Sequence, residues 1–144
     1  MAKGFYGRVA VVDTLSEGLD QVSANAFYAA QDAVLAGGEI IKNRAHDLAN
    51  VSPKEIGHAR DGRHMRDCIE VALVDKPGTL VSARIFIDSD NVPYAVHQEF
   101  GPNGKPFMRP AIDETREEVR SKMRELLAGE LIGGKVQVRF RGIA

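Results

Sequence analysis

The sequence predicts an α+β domain: an antiparallel β-sheet packed with a long N-terminal helix and a second, C-terminal helix. Three observations predict it. Apolar residues recur at helical spacing behind Thr14 and again behind Pro110, and two runs between them, 67–74 and 80–88, alternate apolar and polar residues around a Lys76-Pro-Gly78 turn. A further alternating run, 135–141, closes the chain. The 144 residues suffice for one core, and no repeat, low-complexity tract or linker divides them, so 1–144 is read as a single domain.

Residues 4–12 combine aromatic and β-branched side chains, so 1–13 is read as an N-terminal strand or an arm. Thr14-Leu-Ser-Glu17 fits a capping box. Behind it Leu15, Leu19, Val22, Ala26, Ala29, Ala33, Ile40, Ile41 and Leu48 trace one helix to about Ala49. At 1.5 Å per residue that helix is about 50 Å long. Gly37-Gly38 weaken its middle and are expected to kink or break it, and its alanine-rich face suits close approach of a neighbouring element. Pro53 biases Ser52 away from the α region and ends it. Residues 54–66 are rich in Arg and His and read as a long polar loop.

In the first alternating run Ile69, Val71 and Leu73 share a face. In the second Val81, Ala83, Ile85 and Ile87 do. Asp88-Ser-Asp-Asn91 reads as a turn at a strand end, since it lacks the Gly and distant Glu of a calcium loop. Tyr94–Phe100 is a short helical turn. Pro110 suits the first position of the last helix, whose early turns carry Asp113, Glu114, Glu117 and Glu118 to complement the dipole. Its expected apolar stripe is Ile112, Val119, Met123, Leu126 and Leu127, and Gly129 or Gly133-Gly134 ends it.

Composition narrows the function classes. A formal net charge of −1 gives no strong pull toward nucleic acid or membrane. No apolar run approaches the roughly 20 residues of a membrane span, and Met1–Ala10 is too mixed for a signal peptide, so a protein made and assembled in the cytoplasm is expected. The single cysteine, Cys68, forms no internal disulfide and reads as a small core residue. His46, His58, His64 and His97 include no metalloprotease pair, and there is no nucleophile elbow or phosphate loop. No catalytic residue, cofactor or metal is therefore assigned. Two rival readings stay open: a metal-dependent nuclease built on His58, Asp61, His64 and Glu99, and a DNA-binding module using Arg60, Arg63 and Arg66. A lone carboxylate such as Glu99, beside Phe100, more often caps a helix or pairs with an arginine.

The most informative stretch is 91–112. Tyr94-Ala-Val-His-Gln-Glu-Phe-Gly101, followed by Pro106-Phe-Met-Arg-Pro-Ala111, resembles the Tyr…(Val/Ile)-Glu-x-Gly-Thr…Pro-Phe-(Leu/Met)-Arg-Pro-Ala signature of a family of tail-component proteins of long-tailed bacteriophages, the head–tail joining or tail-completion proteins. Asp61-Gly-Arg-His-Met-Arg-Asp-Cys-Ile69 more loosely resembles that family's Thr-Gly-x-Leu-x-x-Ser-Ile element. Here Asp61 replaces Thr, Met65 replaces Leu, and Pro102 stands where Thr is usual. The long helix ending near Pro53 is the third point of similarity, and the resemblance spans about residues 15–131. It implies a structural virion protein, assembled in the host cytoplasm and residing at the neck between head connector and tail tube, or a terminator capping the tube. It implies a self-associated ring, six-fold to match the tube, contacting neck and tail-tube proteins, with DNA passing through unheld. Within it Glu99, Phe107, Met108 and Arg109 are the expected partner-contact residues, because aromatic and Arg side chains dominate interface hot spots and neighbouring prolines limit the entropy lost on docking.

Overall fold

The computed structural model describes residues 6–13, 24–51, 53, 55, 57–74, 80–127 and 136–141. Four strands form one antiparallel sheet: β1 (Tyr6–Asp13), β2 (Glu70–Leu73), β3 (Leu80–Phe86) and β4 (Val136–Arg141), in the order β2-β3-β1-β4. The helices are α1 (Ala24–Leu48), α2 (Ala95–Phe100) and α3 (Met108–Leu127). The predicted α+β architecture is therefore present. The N-terminal segment is a strand, and an interior one. Its Tyr6 pairs with Phe86 of β3 and its Asp13 with Val136 of β4. The Lys76-Pro-Gly78 turn, the capping box at Thr14 and the glycines after α3 lie outside the described residues.

Helix α1 runs through Gly37-Gly38 without the expected break. Each glycine costs a helix about 1 kcal/mol relative to alanine, and close packing accounts for their presence. A Cβ on Gly37 would lie 3.0 Å from Val119 Cγ1 and 3.2 Å from Met123 Sδ of α3. A Cβ on Gly38 would lie 2.7 Å from Val71 Cγ1 of β2. Two adjacent glycines thus seat α3 on one side of α1 and the sheet on another. Ala33, Val34, Ile41 and Ala45 continue this buried face, and the Arg44–Glu114 ion pair ties the two helices at the surface.

Helix α3 begins at Met108, two residues before the expected start at Pro110. Its buried positions are Met108, Ala111, Ile112, Thr115, Val119, Met123 and Leu127, an i, i+3/i+4 stripe. Thr115 is tolerated there because its hydroxyl donates to the Ala111 carbonyl at 2.6 Å. Leu126, placed in the stripe from sequence, is instead partly exposed.

The first two residues of the expected strand 67–74 belong instead to a 3-10 turn, Met65–Cys68, and the paired strand spans Glu70–Leu73. In a 3-10 turn residues i and i+3 eclipse, which sends both Met65 and Cys68 inward. Cys68 is the core residue that its sequence context suggests. Its thiol donates to the His64 carbonyl at 3.4 Å, and burial pushes its pKa up. Among the described residues no helix is long and apolar enough to cross a membrane.

The Gly38 contact yields a test. Gly38→Ala is expected to lose about 1 kcal/mol of stability, because crowding the stiff Val71 outweighs alanine's helix preference. Urea unfolding of the two proteins checks it, and a more stable variant would contradict the packing argument.

Candidate functional site

Residues 94–111, which carry the family resemblance, fold into one connected unit centred on Glu99. The first N–H groups of any helix lack intrahelical partners. At the start of α3 the Glu99 carboxylate supplies them from the preceding helix. Phe107 N–H and Met108 N–H donate to Oε2 at 2.8 and 2.9 Å, and Arg109 N–H donates to Oε1 at 3.0 Å. Arg109 Nε adds a fourth donor to Oε1 at 3.0 Å, and its Nη2 donates to the Glu99 carbonyl at 2.7 Å. A carboxylate offers about four acceptor sites, and all are filled. The Glu99 side chain is fully buried, so its charge is held by three amides and a guanidinium in place of water. Glu99 therefore both caps and pairs with an arginine, as its sequence context suggests.

The loop between the helices is shaped to reach this carboxylate. It doubles back over the end of α2, where Gly101 N–H donates to the His97 carbonyl at 2.8 Å. A Cβ on Gly104 would lie 2.2 Å from the His97 carbonyl oxygen and 2.4 Å from that of Gln98, so only glycine passes.

Three of the four expected contact residues, Glu99, Phe107 and Met108, are corrected by this geometry. Phe107 and Met108 are wholly buried in this chain's own core. Phe107 is the residue before the helix and Met108 its first, and both amides point at the buried carboxylate, so the backbone entry carries their side chains inward. Glu99 is likewise enclosed, at 1 % exposure. Arg109 remains at the surface, its side chain 48 % exposed, with its guanidinium carbon 4.7 Å from the centre of the Phe100 ring. Phe100 is itself 45 % exposed and Val96 39 %. Val96 and Phe100 stand at i, i+4 on α2, while Ala95 and Glu99 take the buried side. That four-residue spacing is the sequence signal that could have moved the contact surface from Phe107 to Phe100.

A cavity of about 580 Å³ lies on the other components of this region, lined by Asn50, Val51, Pro53, His58, His64, Met65, Tyr94 and Gln98. Asn50 Nδ2 donates to Gln98 Oε1 at 3.0 Å, and His58 meets Tyr94 edge-on with centroids 6.4 Å apart. Burial raises the pKa of the Tyr94 phenol. His58 and His64 both line the cavity, but Asp61 does not join them. It accepts from Arg63 N–H and Nε at 3.0 and 2.7 Å and from Asn91 Nδ2 at 3.0 Å. Among the described residues no three His, Cys, Asp or Glu groups are placed to hold a metal ion. Of the loop arginines, Arg63 is tied to Asp61 and to the Asp67 carbonyl.

Comparison of the chain with protein-family models, with curated proteins and with solved structures finds no match in any of the three.

Two outcomes follow from this geometry. Glu99→Gln is expected to cost about 3 kcal/mol, since an amide nitrogen would face buried N–H donors and leave them without an acceptor. Arg109→Ala should cost much less because that side chain is half in water. Chemical denaturation ranks the two, and equal losses would contradict the capping role. Asp61 gives a pH dependence. The Arg63 backbone N–H, the Arg63 side chain and Asn91 hold its carboxyl below the usual carboxylate range. A depressed pKa stabilises the folded turn fully above the unfolded value of about 3.9 and loses that contribution as pH falls through the folded value. Acid titration followed by NMR should show the Arg63 amide shifting at lower pH than an unperturbed aspartate titrates.

Proposed function

We propose that the chain is a structural subunit of the neck of a long-tailed bacteriophage, forming a ring that joins head connector to tail tube in a head–tail joining or tail-completion role. The observation that carries this reading is the Glu99–Arg109–Phe100 unit. The one acid of the signature is consumed in capping a helix and in holding Arg109. Its outer surface is an aromatic ring under a guanidinium, beside Val96. Aromatic and Arg side chains dominate hot spots, and here the arginine is already ordered by its bonds to Glu99, which lowers the entropy lost on docking. A formal net charge of −1 fits a ring through which DNA passes without being gripped. The terminator reading, a ring that caps the tail tube, shares every one of these supports.

The nuclease alternative draws less support. Asp61 and Glu99, two of its four residues, are each bound to arginine and backbone amides.

Electron microscopy of tailed particles assembled with a tagged copy is expected to place one ring of label at the head–tail junction. Label elsewhere, or particles of normal infectivity lacking the chain, would overturn the reading. Phe100→Ala should lower incorporation into particles at least about tenfold while leaving thermal stability within ~0.5 kcal/mol, as expected for an exposed side chain.

A further inference from the structure

The sheet has two outer strands, β2 and β4, and among the described residues neither has a further strand beside it. An outer strand presents a row of backbone donors and acceptors that another chain can take up. A short, charged edge also protects a sheet from unwanted pairing, so sign and direction have to decide between protection and use.

The two edges differ in sign. The stretch containing β2 carries Asp67, Glu70 and Asp75 with no Lys or Arg between residues 67 and 75. The stretch containing β4 carries Lys135, Arg139 and Arg141 with no Asp or Glu between residues 131 and 144. Glu70 is exposed. Like edges therefore repel, which disfavours a two-fold dimer through β2–β2 or β4–β4. Unlike edges attract.

Direction agrees. Every neighbouring pair in the order β2-β3-β1-β4 is antiparallel, so the two outer strands run in opposite senses. Repeating the subunit side by side about an axis along the strands brings β2 of the next copy antiparallel to β4, and the alternation continues unbroken. The backbone phase of β2 is also known. Val74 N–H donates to the Ser82 carbonyl at 2.9 Å. With Leu73 opposite Ala83 and Ala72 opposite Arg84, the antiparallel pattern turns the N–H groups of Val71 and Leu73 away from β3, toward the open edge.

We infer that the partner at these edges is a second copy of this chain: β4 of one subunit pairs with β2 of the next, so that one sheet runs around the ring. This contact is head-to-tail and so closes into a ring or grows without limit, as a two-fold contact does not. The inference deepens the ring reading above and rests on it for closure.

Sedimentation velocity of the full chain, from micromolar to millimolar concentration, tests it. Wild type is expected to form a closed oligomer. The backbone donor that Leu73→Pro removes is the outward one, so the ladder with β3 is kept, and the variant should sediment as a monomer with an unchanged circular dichroism spectrum. Because a proline can fail for other reasons, charge reversal gives a second arm. Glu70→Arg alone, and Arg139→Glu/Arg141→Glu alone, should each weaken assembly about tenfold or more. Mixed, they should assemble again, since both alternating contacts regain opposite signs. Wild type that stays monomeric throughout, Leu73→Pro that assembles like wild type, or a mixture no better than its components would each overturn the edge pairing. A tagged ring still seen at the head–tail junction in Leu73→Pro particles would leave the neck role standing and remove only this inference.

Discussion

One buried carboxylate organises the region that carries the functional reading. Removing a charge from water costs several kcal/mol, and Glu99 recovers it through four N–H donors and the positive end of a twenty-residue helix. An ordinary N-cap side chain sits next to the helix it caps and fixes only that end. Glu99 sits on a different helix, so its bonds also fix the position of α2, the path of the loop over Gly104, and the inward entry of Phe107 and Met108. The loop from Gly101 to Pro106 needs little regular structure of its own because both of its ends meet at this carboxylate.

The rest of the architecture depends on closeness. Gly37 and Gly38 remove two side chains from the middle of α1, and α3 and β2 occupy the space from two directions. Ala33 and Ala45 extend the same narrow face. The alanine-rich surface that could have been reserved for a neighbouring subunit is largely used within the chain, by α3 and the sheet. Among the described residues, the Val96–Phe100–Arg109 surface and the two sheet edges are open to other chains.

Periodicity made most of the fold legible. The helical stripe of α3 and the strands Tyr6–Asp13, Leu80–Phe86 and Val136–Arg141 each appear where the spacing indicates. That β1 lies inside the sheet, between partners distant in sequence (Val12 opposite Leu80, Asp13 opposite Val136), has no local signature. The 3-10 turn at Met65–Cys68 was hidden because two consecutive apolar residues, Cys68 and Ile69, look like one end of a strand. The glycine pair misled for a related reason: local propensity counts its cost to the helix, and only the contacts with Val71 and Val119 show the compensation. At the candidate site the identities of Glu99 and Arg109 were legible. The burial of Phe107 and Met108 was not, because a loop has no period and proline-flanked apolar residues read equally well as an anchor or as core.

The division between Phe107 and Phe100 separates stability from surface chemistry in this segment. Phe107 fills the core, so its loss acts through the fold. Phe100 lies outside, and its contact with Arg109 acts through the surface. Glu99 belongs to both. The carboxylate that caps α3 also holds the guanidinium over the Phe100 ring, by Nε directly and by Nη2 through its own carbonyl. In the proposed role this coupling means that the contact patch is ordered only when the helix start is formed, so a subunit that has not completed its fold presents no organised aromatic–cationic surface to a partner. Rotamer freedom that an isolated surface arginine would surrender on docking has already been surrendered on folding. The same bonds that stabilise the domain thus reduce the cost of assembling it.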